Sequence, residues 1–249
     1  MPHELLEKAK TIRLGDARWH LLLDAALDGA ANMNRDTLLL RRAQAQPDVL
    51  PALRFFQWQP PAVSIGYAQP LMQIDDDKCA ALGIPVVRRP TGGRAIYHHS
   101  EFTYSVTIPP WHPLARLRVL ETYNKISMAL KFGLRNIGIN AKLSRGDARL
   151  GGKNPSCFSS TARYELAVGG KKLVGSAQRR SHGAILQQGS IIAGPEYMLI
   201  AELVSRDGEI IRQDLEQHST YILAVLGRIP THDEFSAAMV AGFEEAFAE

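Results

Sequence analysis

From Cys157 to Ser190 the chain alternates apolar and polar side chains about a glycine pair, Gly169-Gly170, and that pattern makes a β-hairpin. Tyr164-Glu165-Leu166-Ala167-Val168 leads into the turn and Lys171-Lys172-Leu173-Val174-Gly175-Ser176-Ala177-Gln178 leaves it. Successive strand residues face opposite sides, so Lys171 belongs to the surface while Lys172 is held at a fixed place near the segment carrying Cys157. A thiol beside an ammonium becomes a thiolate. The pattern therefore constrains the chemistry along with the fold.

The rest of the chain alternates between helical and strand signals. The first forty residues read as helical, with Trp19, Leu22, Leu23, Ala26 and Leu27 as a core-facing stripe. Strand signals follow at Leu53 to Trp58 and Ala62 to Tyr67, split by Pro60-Pro61, which suit a turn. Ile74 to Leu82 reads as a short helix opened by Asp75 to Asp77 and stopped by Gly83. Strands are expected again at Ile84 to Arg88, Ala95 to Tyr97 and Phe102 to Thr107, then a long helix from Leu114 to Ile137 ended by Gly138. Residues 144 to 156, rich in Gly, Ser, Asn and Pro, read as a loop leading into Cys157. After the hairpin, Ala184 to Leu186 and Ser190 to Ile192 are strand-like and Pro195 opens a helix. Thr231 with Glu234 forms a capping box for a last helix that shares Phe235, Met239 and Phe243 on one face. This order predicts an α+β class, mixed β-sheets packed with helices, as one domain over residues 1–249 without a linker or repeat.

Composition narrows the function classes. With 249 residues and 45% apolar content the chain has enough to bury a substantial core. No apolar run reaches the ~18 to 20 residues of a membrane span, and the start lacks a basic region followed by an apolar one, so no membrane partner and a cytoplasmic location are expected. Cys79 and Cys157 lie far apart and form no CxxC or Cys/His cluster, which excludes a disulfide framework and a metal site and leaves two free thiols. Cys79, beside Ala80, Ala81 and Leu82, reads as a core residue. The net charge of +4 and a pI near 9.1 favour acidic partners. Basic pairs are scattered without a continuous stripe or interleaved aromatics, so no nucleic acid is expected.

A second motif runs Arg88-Arg89-Pro90-Thr91-Gly92-Gly93-Arg94-Ala95-Ile96-Tyr97-His98. Paired glycines between strands let backbone amides approach a ligand, and flanking arginines suit an anion or an oxyanion. A plain tight hairpin is the competing reading. His98 reads either as a contact to the acyl or acceptor site or as a satisfied structural histidine.

Together, in this order, the two motifs resemble the lipoate-protein ligase A and octanoyltransferase family, whose catalytic domain has the biotin/lipoate protein ligase fold. The family pattern is an Arg-rich strand, a Thr/Ser-Gly-Gly turn, a strand with a His, and later a Gly-x-Lys strand ending in a small-residue triplet; here these are Arg88 to His98 and Gly170 to Ala177. The resemblance extends to Arg54-Phe55, Trp58, Pro60, Ser64 to Tyr67 and Gly183 to Ile191. A Cys-Phe step at Cys157-Phe158 is similar to the octanoyl-acyl carrier protein:protein N-octanoyltransferase branch. The ATP-dependent ligases usually show Asn-Asp where this chain has Tyr164-Glu165, and many add a C-terminal domain for which this chain leaves no room.

The resemblance implies that octanoyl passes from acyl carrier protein to Cys157 and then to a lipoyl-domain lysine of a glycine cleavage H protein or a 2-oxoacid dehydrogenase E2, with no cofactor. Arg88, Arg89, Thr91, Gly92, Gly93, Arg94, His98, Gly175, Ser176 and Ala177 become the substrate-binding set, and Cys157 and Lys172 the catalytic pair. Chemistry agrees with this reading. Thioester to amide is downhill, and an enzyme thiolate splits the transfer into two easier steps. An ammonium ~4 Å from a thiol contributes up to about 4 kcal/mol at an effective dielectric of 20, which favours the thiolate. A partly desolvated Lys172 suits the proton of the incoming amine, and backbone amides near Gly92-Gly93 or the Lys172 ammonium suit the oxyanion. An ATP-dependent lipoate ligase and a non-catalytic carrier-protein binder are the alternatives.

Overall fold

The computed structural model describes residues 6–144 and 165–248. Cys157, Phe158, Tyr164 and all but the first residue of the loop expected at 144 to 156 lie outside these residues. The first segment runs β1 (Lys10–Leu14), β2 (Ala17–Leu23), α1 (Gly29–Ala45), β3 (Ala52–Phe56), β4 (Ala62–Ile65), α2 (Asp76–Ala81), β5 (Val86–Arg88), β6 (Ile96–His98), β7 (Glu101–Ile108), α3 (Pro113–Arg116), α4 (Val119–Asn136) and β8 (Lys142–Leu143). The second runs β9 (Leu166–Val168), β10 (Lys171–Lys172), β11 (Val174–Ser181), β12 (Ala184–Ile192), α5 (Ile200–Leu203), α6 (Gly208–His218), α7 (Ile222–Leu226) and α8 (His232–Ala248).

One six-stranded sheet in the order β1-β2-β3-β7-β12-β11 forms the centre, parallel only between β2 and β3. Two three-stranded sheets, β5-β4-β6 and β10-β9-β8, complete the mixed α+β architecture. The strands β7 and β12 are buried along their whole length, and their two faces differ sharply. Leu53 and Phe55 of β3, Phe102, Tyr104, Val106 and Ile108 of β7 and Ile185 and Ile191 of β12 point to one side, where they pack on Ile126, Leu130, Met239 and Phe243 of α4 and α8. At about 1.5 to 3 kcal/mol for each fully buried large side chain, this layer is the main source of stability. The helices close on each other at Gly133 and Gly242, where an added Cβ on Gly242 would lie 2.2 Å from the Gly133 nitrogen. The opposite face carries Arg54, Glu101, Thr103, Ser105, Thr107, Gln188 and Ser190, all buried, and meets α1.

The N-terminal helical stripe is overturned. Trp19 and its neighbours lie in β2, paired with β1 from Lys10↔Leu21 to Leu14↔Ala17. Trp19 and Leu21 are buried while Arg18 is exposed, a period of two that the run Leu21-Leu22-Leu23 masks. Helix α1 begins only at Gly29, where the Asp28 carboxylate accepts from the Ala31 amide at 2.7 Å. The long helix expected from Leu114 is split, because the Arg118 amide donates to the Glu121 carboxylate at 2.8 Å and starts a new helix, α4. At α8 the Thr231 hydroxyl accepts from the Glu234 amide at 3.1 Å, but the Glu234 carboxylate pairs with Arg228, so only half of the expected capping box forms. Cys79 is buried in α2, and burial pushes its thiol pKa up. No helix among the described residues is long and apolar enough to cross a membrane.

Candidate active site

The glycine pair turns the chain as expected: Gly169 and Gly170 have φ of +58° and +81°, and β9 and β10 pair antiparallel through Val168↔Lys171 and Ala167↔Lys172. The two lysines then diverge. Lys171 is exposed and donates to the Glu216 carbonyl at 2.7 Å. Lys172 is 1% exposed, and its Nζ lies 2.7 Å from Glu165 Oε1, itself buried. A buried ammonium opposite a buried carboxylate is held in one place. The next residues, Val174 to Ser181, leave this small sheet and become β11 of the central one, which carries Gly175, Ser176 and Ala177 to the wall of a pocket.

That pocket lies between β11 and β12 on one side and β4 and β6 on the other, closed by Met33 of α1 and Trp58. Its surface is almost wholly apolar although Ser64, His98, Thr103, Gln188 and Ser190 line it. The cause is internal hydrogen bonding. The His98 ring bonds Ser64 Oγ through Nε2 at 2.7 Å and Glu101 Oε1 through Nδ1 at 2.6 Å, and stacks on Trp58 with centroids 3.8 Å apart. Thr103 Oγ1 donates to Glu101 Oε1 at 2.6 Å, and Ser190 Oγ donates to the other Glu101 oxygen. Deeper, Ser176 Oγ and Tyr104 OH are 2.7 Å apart, and the buried Tyr104 hydroxyl has its pKa pushed up to about 12. Polar groups satisfied by one another present carbon to the cavity, which suits an alkyl chain. His98 thus lines the pocket and is also a fully bonded structural histidine.

The Arg88 to His98 segment is not a hairpin, because β4 lies between β5 and β6 in their sheet. Its two leading arginines hold the turn together. Arg88 Nη1 donates to the carbonyls of Gly66, Tyr67 and Gln69 at 2.8, 3.0 and 2.8 Å. Arg89 donates to Gly92 O at 2.8 Å, Arg94 O at 2.6 Å and Ser64 Oγ at 3.0 Å. Thr91 Oγ1 donates to Gln188 Oε1 at 2.7 Å. Gly66 lets the loop pack this closely, since a Cβ there would lie 2.0 Å from the Gly93 carbonyl oxygen. Gly92 and Gly93 sit at the bend, Gly93 with φ of +89°, and Arg94 leads into β6 half-buried. Arg89 and His98, with Gly175 to Ala177, are brought to the pocket wall; Arg88 lies on the outer side of the turn, exposed. Residues 86–98 and 166–192, which flank the pocket, carry seven Lys and Arg and no Asp or Glu. Among the described residues no three His, Cys, Asp or Glu are placed to hold a metal ion.

Gln188, Ser190, Ser64, Trp58 and Met33 line the pocket without having been singled out as site residues from the sequence. One signal was available. Gln187-Gln188-Gly189-Ser190 interrupts an otherwise apolar strand, and polar residues inside a fully buried strand need partners.

The described residues have the fold of the lipoate-protein ligase catalytic unit. A bipartite lipoate-protein ligase of an archaeal lipoylation system from Thermoplasma acidophilum superposes with a TM-score of 0.70 at 21% identity, over 94% of this chain and 84% of that one. The P. falciparum LipL1 structure in complex with lipoate gives 0.65 at 17%, over 91% of this chain and 62% of that one. The family model of the lipoyl protein ligase A/B catalytic domain matches residues 28–244, and the chain belongs to that family. Its sequence is 40% identical to the octanoyltransferase LipM of Symbiobacterium thermophilum, over 93% of this chain and 87% of the relative. It is 37% identical to the octanoyltransferase LipM of Kyrpidia tusciae, over 92% and 86%.

Proposed function

We propose that this chain is an octanoyltransferase of lipoate biosynthesis, with octanoyl-acyl carrier protein as donor and a lysine of a lipoyl domain as acceptor. The observation that carries the reading is a pocket with a carbon surface, walled by Gly175 to Ala177 of the strand that follows the buried Lys172. In the first step the Cys157 thiolate attacks the donor thioester carbonyl, a new C–S bond forms, and the carrier's thiolate leaves with the proton taken from Cys157. In the second the acceptor amine attacks the Cys157 thioester, the C–N bond forms, the amine proton passes to a base, and the Cys157 thiolate departs. Both steps balance without ATP.

Within this reading Glu165 holds the Lys172 ammonium toward the reacting carbonyl, where it stabilises the oxyanion and takes part in proton transfer. An eight-carbon chain in the pocket, at about 0.8 kcal/mol per buried methylene, contributes roughly 5 kcal/mol of binding. Basic segments around the pocket complement acidic carrier domains. The assay is octanoylation of an apo lipoyl domain, read by mass, from octanoyl-acyl carrier protein without nucleotide. Transfer without ATP is the expected result. Transfer only from free lipoate or octanoate with ATP establishes a ligase, and carrier binding without transfer establishes a binder.

A further inference from the structure

The polar face of the central sheet contains one row that runs straight across three strands. Arg54 of β3 is in register with Ser105 of β7, and Ser105 with Gln188 of β12. A single carboxylate from α1 gathers the whole row: Asp36 Oδ1 takes Arg54 Nη1 at 2.9 Å and Ser105 Oγ at 2.7 Å, and Asp36 Oδ2 takes Gln188 Nε2 at 2.6 Å. Arg54 and Asp36 are both 0% exposed. Arg54 is fixed in turn by Asp24 Oδ2 at 2.6 Å and Asn32 Oδ1 at 2.7 Å, and lies 3.8 Å over the Phe56 ring. Burying such a cluster is costly unless every member is bonded, so its geometry is stiff.

Stiffness is transmitted to the site through one amide. With its nitrogen donating to Asp36 Oδ2 and Met33 Sδ, Gln188 turns its oxygen to Thr91 and accepts from the Thr91 hydroxyl. Thr91 begins the Gly92-Gly93 bend whose carbonyls Arg89 grips. We infer that Asp36 and Gln188 are positioning residues: through the Asp36–Gln188–Thr91 relay they set the place of the Thr91-Gly92-Gly93 backbone against the acyl pocket. The inference rests on the acyl-transfer reading only for its kinetic consequence, since the position of the bend is measurable apart from turnover. It assigns to the Thr91 hydroxyl an internal partner in place of a substrate contact.

Four variants test the relay. Thr91→Val removes the hydroxyl at constant shape, Thr91→Ser keeps it, and Gln188→Glu sets a second carboxylate against Asp36. Asp36→Asn combined with Gln188→Glu keeps the 36–188 hydrogen bond with donor and acceptor exchanged and leaves an oxygen at 188 for Thr91. Backbone hydrogen exchange of residues 89–95 and transfer kinetics are measured on protein whose circular dichroism matches wild type. In Thr91→Val and Gln188→Glu, exchange in this segment is expected to accelerate and kcat to fall about tenfold or more, since small misplacements carry such losses. Thr91→Ser and the double variant are expected to return both quantities to within about threefold of wild type. If Gln188→Glu fails to fold, Thr91→Val and the rescue by the double variant carry the test. Unchanged exchange at 89–95 in Thr91→Val overturns the relay. So does a lowered melting temperature with kcat intact, which is the signature of packing alone. An inactive wild type contradicts the proposed function, and the exchange measurement then decides the relay by itself.

Discussion

The two faces of the central sheet are built from the same strands and do opposite work. Toward α4 and α8, β3, β7 and β12 present Leu53, Phe55, Val106, Ile185 and Ile191, a mainly apolar layer in which the Tyr104 hydroxyl is held by Gln187 and Ser176. Toward α1 and the pocket they present Arg54, Ser105, Thr103, Gln188 and Ser190. Both faces are equally buried, so burial does not separate scaffold from site. The difference lies in what the interior must satisfy. Carbon against carbon tolerates small changes at the cost of packing energy, whereas a buried polar group that loses its partner costs the full desolvation penalty. The pocket inherits its carbon-like surface from polar groups satisfied by one another.

Changes on the polar side should therefore strike activity first, and changes on the apolar side stability first. The largest effect is expected at Lys172. Lys172→Gln keeps a donor for Glu165 but removes the charge, and transfer should fall by roughly 10² to 10⁴ while circular dichroism shows a folded protein. Retained activity would remove Lys172 from the proposed chemistry. Next, Gly242→Ala forces a Cβ to within 2.2 Å of the Gly133 nitrogen. Denaturant unfolding should show a loss of about 1 to 3 kcal/mol, with the specific activity of the folded fraction unchanged. A milder version is Ile191→Val, next to pocket-lining Ser190 but on the apolar face. About 1 kcal/mol of stability should go, and KM should stay where it was. A shifted KM would blur the division between the faces.

A further effect is on pH dependence. Burial lowers the His112 pKa from 6.5 to about 4, and its Nδ1 accepts from the Leu114 amide, which requires the neutral ring. As pH falls from about 6.5 toward 4 the unfolded chain takes up a proton that the folded one refuses, so stability declines across that window. Urea midpoints at pH 7 and pH 5 should show the decline, and His112→Asn should flatten it.

What the sequence revealed follows the same division. The Gly169-Gly170 hairpin was legible because two residues of positive φ beside alternating apolar positions leave few other conformations, and so was the outward Lys171 against the inward Lys172. The bend at Gly92-Gly93 was legible as a bend, but not that Arg88 and Arg89 hold carbonyls of the chain itself. Only long-range geometry shows that, since their acceptors include Ser64 and Gly66 on another strand and its end. The β1-β2 pair was missed because Leu21-Leu22-Leu23 satisfies helical and strand periods alike, and pairing with β3 decides between them. The Asp36 row was invisible for a similar reason. Arg54, Ser105 and Gln188 are far apart in the chain and meet only through register.

The central claim is that octanoyl passes through a covalent thioester on Cys157, and it is tested most directly by intact-mass and peptide mass spectrometry after incubation with octanoyl-acyl carrier protein in the absence of ATP and acceptor. The account predicts one octanoyl adduct per chain, hydroxylamine-labile, mapped to Cys157 and absent from Cys157→Ser. An adduct that persists in Cys157→Ser, or a wild type that transfers octanoyl to a lipoyl domain with no adduct at any time, contradicts it.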